Sequence, residues 1–202
     1  YGNADNSIKI YEDTIMIGSK YSHSNGSYLD SGAVYVYTRS ETTWSHVQTL
    51  TPNSFPSSNY YNFGEFVDMY GDYAVVSGKH NQSANIANAG EAIVFKRTGT
   101  TWSQQAVLTA SDPVSRDFFG HTSVAIYENT IAIGAQEDWD WVKSGRTTIF
   151  TRSGTTWSQT AEIKPSTGYQ QYNGKRIRLH RNTLIMNRLD GSSQNAGGTA
   201  RG

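Results

Sequence analysis

The chain has 202 residues, 36% of them hydrophobic and only 17% charged, with 17 basic and 17 acidic side chains and a formal net charge of zero. No surplus of either sign points to nucleic acid or to an anionic membrane surface. No apolar run approaches the roughly 18 residues of a membrane-spanning helix, so membrane insertion is not expected. Without a cysteine, disulfides and thiolate metal sites are excluded. Abundant Gly, Ser, Thr, Asn and Tyr with only 4 prolines suit many short strands joined by tight polar turns. The chain opens on Tyr1 with no visible signal peptide, which leads us to expect a processed product or a fragment.

One unit recurs along the chain. The first copy starts at Tyr1-Gly2, continues through an aliphatic stretch from Ile8 to Gly18, and reaches a run from Gly32 to Ser45 that ends Thr-Trp-Ser. The second copy has Phe63-Gly64, the stretch Val67 to Gly78, and the run Gly90 to Ser103. The third has Phe119-Gly120, Val124 to Gly134, and Gly145 to Ser158. A weaker fourth copy has Asn173-Gly174 in place of the aromatic–glycine pair, then Ile177 to Asn187. Trp44, Trp102 and Trp157 mark the period of about 55–58 residues.

Each unit contains four short runs with the period-two alternation of strands. In the third unit the expected strands are 123–127, 130–135, 147–152 and 156–163. Two-residue links join the first and second runs: Glu12-Asp13, Gly71-Asp72, Glu128-Asn129 and Arg181-Asn182. The third and fourth runs are expected to join through Ser40-Glu41, Thr98-Gly99 and Ser153-Gly154, again hairpin chemistry. Units of this length with four up-and-down strands read as β-propeller blades. The fold class is therefore all-β, with about three and a half blades: 1–57, 58–114, 115–168 and a partial blade at 169–202 that supplies two strands. Three and a half units do not easily close a ring. A longer native polypeptide is the favoured explanation, with completion by another chain or an open stack as alternatives. Trp44, Trp102 and Trp157 are expected to pack between adjacent blades.

The Phe-Gly pairs Phe63-Gly64 and Phe119-Gly120, the Ile133-Gly134-Ala135 that closes a second strand, and the Gly-Thr-Thr-Trp-Ser-Gln runs at 99–104 and 154–159 resemble the FG-GAP repeat. That repeat builds the integrin α-chain propeller, a fungal propeller lectin and many microbial surface proteins. The resemblance implies a propeller at a cell surface or outside the cell. Many such blades carry a calcium loop of the Asp-x-Asp-x-Asp-Gly kind between strands one and two. Two-residue hairpins stand in its place here, and two residues cannot supply the six or so oxygens that calcium requires. No metal and no other cofactor is expected. The acidic run Glu137-Asp138-Trp139-Asp140 reads as a solvated loop.

The five histidines show no metal-ligand spacing, and there is no nucleophile elbow and no glycine-rich phosphate loop, so an enzyme is not expected. The long loops (19–31, 52–62, 79–89, 112–118, 136–144 and 165–173) should share one end of the blades. They carry candidate binding residues Tyr21, His23, Tyr28, Tyr60, Tyr61, Trp139, Trp141 and Tyr169, with Tyr172 close by. Aromatic rings among amides and hydroxyls suit protein or sugar contact. Two sequons, at Asn25 and Asn81, are glycosylation candidates. The expected function is a non-catalytic extracellular scaffold or adhesion module that contacts protein neighbours or copies of itself. A carbohydrate-binding propeller lectin is the alternative, and an enzyme with a spatially assembled site comes third.

Overall fold

The computed structural model describes residues 7–23, 30–54, 61–78, 86, 88–135, 145–164 and 171–190, with the backbone alone at 171–173 and 187–190. Among the described residues four antiparallel sheets follow one another along the chain, three of four strands and one of two. The first holds β1 (Ile8–Tyr11), β2 (Thr14–Ser19), β3 (Ala33–Ser40) and β4 (Thr43–Leu50) in sequential order. The second holds β5 (Val67–Tyr70), β6 (Tyr73–Gly78), β7 (Glu91–Thr98) and β8 (Thr101–Leu108). The third holds β9 (Phe119–Tyr127), β10 (Thr130–Ala135), β11 (Arg146–Ser153) and β12 (Thr156–Ile163). The last pairs β13 (Gln171–His180) with β14 (Thr183–Asp190). The all-β, propeller-blade fold expected from the repeat is the one observed.

Two local boundaries differ from expectation. The turns between third and fourth strands are Glu41-Thr42, Gly99-Thr100 and Gly154-Thr155, one residue later than the sequence suggested. The reason is backbone conformation: Glu41, Gly99 and Gly154 adopt φ of 54°, 62° and 61° and so must be the first turn residue. The third unit's first strand also begins at Phe119 and not at 123, because Phe119 pairs with Ala135 across a register shift.

Alternation gives every blade two faces. Register places Met16, Val34 and Val36 on one face of the first blade, with Ile15, Tyr35 and Tyr37 on the other. Met16, Val34, Val36 and Leu50 pack against Val67, Met69, Val76, Ile93, Phe95 and Trp102 of the second blade to form one core cluster. Val75, Ala92, Val94 and Leu108 on the second blade's other face pack against Val124, Ile126, Ile131, Ile133, Phe150 and Trp157 of the third. Ala125 and Ala132 meet Ile177 of the fourth in a smaller cluster. The core thus lies between blades and not within any one of them.

Trp102 and Trp157 are buried at these junctions, as expected, at 2% and 9% exposure. Trp44 departs from the expectation. It is 36% exposed and lies under the Arg39 guanidinium, because no described blade covers that face of the first sheet. The arginine is itself a repeat element. Arg39, Arg97 and Arg152 each stand over the blade's tryptophan at 5.7, 5.5 and 5.7 Å. Each also reaches back to the first hairpin, at Asp13, Asp72 and Asn129 respectively.

The Phe-Gly pair is the stitch between blades. Phe63 and Phe119 bridge in parallel to Gly32 and Gly90 of the preceding blade. Their amides donate to the Ser31 and Ala89 carbonyls at 3.2 and 2.9 Å. Gly64, at φ 85°, lays its carbonyl against Gly18, where an added Cβ would overlap the Gly64 oxygen. Gly134 and Gly174 repeat that contact between the third and fourth blades. The tryptophan loops add amide ties. The Gln48 side chain donates to the Trp102 carbonyl and accepts from its amide at 2.7 and 2.8 Å. Gln104 and Gln159 accept from the Asn53 and Ser111 amides of the preceding blade at 2.8 and 3.0 Å.

Gly18→Ala should therefore be far more damaging than Gly99→Ala. The first forces backbone apart at a junction and should cost about 2–4 kcal/mol. The second only strains an open turn with nothing within 4 Å of the new methyl, at about 1 kcal/mol. Urea denaturation of the two variants gives the comparison.

Candidate binding face

The two-residue hairpins cap one end of every described sheet, and the strand ends that the long connections join lie at the other. At that long-loop end the residue after each Phe-Gly pair is polar: Glu65 in the second blade and His121 in the third. Gly64 and Gly120 hold these side chains at adjacent junctions, and Lys20, just past the end of β2, supplies a third. The Lys20 ammonium donates to Glu65 Oε1 at 2.6 Å, and His121 Nδ1 lies 3.0 Å from Glu65 Oε2. One carboxylate thus ties three consecutive blades. Asn62 Nδ2 donates to the Lys20 carbonyl at 3.4 Å, and the Phe118 ring meets His121 edge-on at 5.9 Å.

The Glu65 side chain is only 11% exposed. Burial alone would raise its pKa. The His121 and Lys20 contacts outweigh burial and hold the carboxyl at about 2. For Lys20, burial would lower the pKa, but the Glu65 hydrogen bond and charge leave it raised. The ammonium also stands over the Tyr21 ring at 5.1 Å, and that ring is 60% exposed.

A second charged group lies at the same end. Arg146, 1% exposed at the start of β11, is held by Asp112 on the connection after β8 at 2.6 Å, by Glu162 near the end of β12 at 2.8 Å, and by buried Asp117. Lys164 closes on Glu162 at 2.6 Å. Burial works against the Arg146 charge, and the surrounding carboxylates reverse that and raise its pKa. Removing Arg146 would leave the buried Asp117 without its counter-charge, so its role is to fasten a blade connection.

Tyr61 and Glu91 occupy the positions in the second blade that Asp117 and Arg146 occupy in the third. Tyr61 was expected to face a ligand. It is instead fully buried, stacked on Phe63 with centroids 6.3 Å apart and hydrogen-bonded to Glu91. Two residues before the Phe-Gly pair, the chain already runs along the preceding blade (the Asn62 amide donates to the Asp30 carbonyl at 2.9 Å), so this side chain turns inward. Burial pushes the Tyr61 hydroxyl pKa well up, and the Glu91 charge adds to it.

Of the other candidates, Tyr21 is presented to solvent and His23 lies 3.5 Å from Asp30 with 58% of its side chain exposed. Tyr28, Tyr60, Trp139, Trp141, Tyr169, both sequons at Asn25 and Asn81, and the acidic run 137–140 lie outside the described residues. Among the described residues no group of three or more His, Asp or Glu side chains could hold a metal ion. A polar cleft of about 290 Å³ lies between the first two blades, lined by Gln48, Thr49, Thr51, Asn53, Ser103 and Gln104 among others. The Lys20–Glu65–His121 tie was missed in the sequence because its members lie one per blade. The signal available was the polar residue that follows each Phe-Gly.

Glu65 should make stability fall in acid. Its folded pKa of about 2 lies below the ordinary 4.5, so the unfolded chain takes up the proton first. The stabilisation, about 3 kcal/mol, is complete above about pH 4.5 and is lost as the pH falls towards 2. Glu65→Gln should be less stable than the native chain at pH 7 by that order, and the gap should close by pH 2. Urea midpoints across the range check both.

Residues 102–150 match the family described as FG-GAP repeat. The matched stretch runs from β8 through the Phe119-Gly120 stitch to β11, and so contains one whole blade junction. No curated protein matches the chain. FG-GAP repeats typically occur in extracellular or surface proteins, build propeller-type protein-interaction modules and are generally non-catalytic. The matched stretch is similar to the FG-GAP repeat, and the succession of four-stranded antiparallel sheets on either side of it is consistent with β-propeller blades of that kind.

Proposed function

We propose that this chain is a non-catalytic scaffold or adhesion module that meets protein neighbours through its long-loop end, at a cell surface or in an extracellular fibre. The observation that carries the reading is the division of labour at that end. Lys20 and His121 are spent on Glu65, and Arg146 on Asp112, Asp117 and Glu162, tying blades and connections together. Tyr21 is left 60% exposed on this braced platform. Rigid aromatic anchors on a fixed base are what protein interfaces use. The module works without calcium, because its first hairpins are two residues long. Tyr21 and the polar cleft at Gln48 and Gln104 favour a second reading, a neutral glycan bound by ring stacking and amides.

A photo-crosslinking amino acid placed at position 21 should label a protein on the surface of intact source cells, equally well with and without EDTA. Absence of any protein adduct overturns the first reading. Binding on a glycan array that Tyr21→Ala abolishes establishes the second.

A further inference from the structure

At the hairpin end, away from the long loops, the last residue of each first strand is aromatic: Tyr11, Tyr70, Tyr127 and His180. Register fixes these rings beside their turns, with Tyr70 paired to Tyr73 and Tyr127 to Thr130. Alternation sends Val67 and Met69 of β5 into the core shared with the first blade. Asp68 and Tyr70 therefore face β9 of the third blade. Asp68 Oδ2 accepts the Ile126 amide at 2.8 Å, one residue before Tyr127, and so sets the spacing of the two strands beside the tyrosines.

The Tyr70 and Tyr127 ring centroids are 4.5 Å apart, with the planes at 46°. This is the closest pair of the run, since Tyr11 lies 5.3 Å from Tyr70 and His180 lies 5.2 Å from Tyr127. The two hydroxyls share a hydrogen bond, which together with burial pushes the Tyr70 pKa up to about 12. Tyr70 therefore stays a neutral phenol at ordinary pH. Both rings are only half-buried and lie within reach of small solutes. A ladder of packed rings needs no oxygen atoms, yet here two phenol oxygens from different blades meet. Rings this close, with their oxygens joined, also bring together the ring carbons next to those oxygens. Those carbons carry much of the unpaired spin once a phenol has lost an electron.

We propose that Tyr70 and Tyr127 form an oxidative cross-linking site, at which a haem peroxidase with hydrogen peroxide welds the second and third blades through a dityrosine bond. Each phenol gives one electron to the oxidant and its hydroxyl proton to water. The two phenoxyl radicals couple through the carbons next to their oxygens, forming one carbon–carbon bond. The hydrogen on each joined carbon then moves to the oxygen of its own ring and restores both phenols. The two electrons and two protons released reduce one hydrogen peroxide to two waters. Rings already in place need no diffusional encounter, which favours this bond over coupling between molecules. The weld is separate from the long-loop end and does not depend on the function proposed for it.

Treating the dilute purified chain with a haem peroxidase and hydrogen peroxide tests this. The product should have the mass of one chain less two hydrogen atoms and show the blue fluorescence of dityrosine. Proteolysis should release two linked peptides, one holding Tyr70 and the other Tyr127. Tyr70→Phe and Tyr127→Phe keep the ring and remove the oxygen, and each should abolish this product, with circular dichroism checking that they fold. Tyr11→Phe should leave the yield unchanged. The cross-linked chain should also show a higher urea midpoint, because the bond constrains the unfolded state. The peptide map of the native chain decides the case even where a variant fails to fold. A one-chain product without dityrosine overturns the proposal. So does a bond that maps to Tyr11 or Tyr21, a Tyr70→Phe chain that yields as much, or a urea midpoint that does not rise.

Discussion

The blades can pack only because backbone touches backbone at their junctions. Gly64 lays its carbonyl on Gly18, and Gly174 lies against Gly134, with no room for a side chain at the contact. Once the strands are that close, Phe63 and Phe119 can bridge to the preceding blade through their amides. The aliphatic faces then lie within van der Waals reach, and the cores form between sheets. At the junction of the second and third blades, Ser77 takes the place of one glycine. Gly120 has more room there, with the Ser77 Cβ lying 3.3 Å from where its own would be.

That close approach also fixes where polar chemistry can stand. The residue after each junction glycine is carried to the long-loop end of the blade, which is how Glu65 and His121 come within reach of each other and of Lys20. The residue two before the phenylalanine is carried inward and must find a buried partner. Tyr61 finds Glu91, and Asp117 finds Arg146, so the same two positions are filled by a phenol and a carboxylate in one blade and by an ion pair in the next. The architecture specifies a polar pair there but leaves its sign and type open. A run of rings, Tyr11, Tyr70, Tyr127 and His180, links the last residues of the first strands at the hairpin end, with neighbouring centroids 5.3, 4.5 and 5.2 Å apart. Both ends of the blade stack are thus laced from sheet to sheet.

Because each blade supplies only half of any core, stability is a property of neighbours, as in other repeat arrays. Trp102 and Trp157 illustrate this: each is buried because a preceding blade is present, whereas Trp44, with the same arginine over its ring, is exposed on a face that no described blade covers. Exposure of the ring here follows whether a described blade lies against it and not a difference in local sequence.

The sequence by itself determined the blades, their order and nearly every strand, because period-two alternation and two-residue turns are local signals repeated three times. It also marked the Phe-Gly pairs as a recurring element of the unit and the tryptophans as blade packing. Only the tertiary structure decided which aromatic residues face solvent. Tyr21 and Tyr61 both sit in polar connections and look alike in sequence, yet one is open and the other fully buried, since burial depends on how the preceding blade lies against the chain. The Lys20–Glu65–His121 tie was likewise settled by packing, because its members come together only when three blades stack.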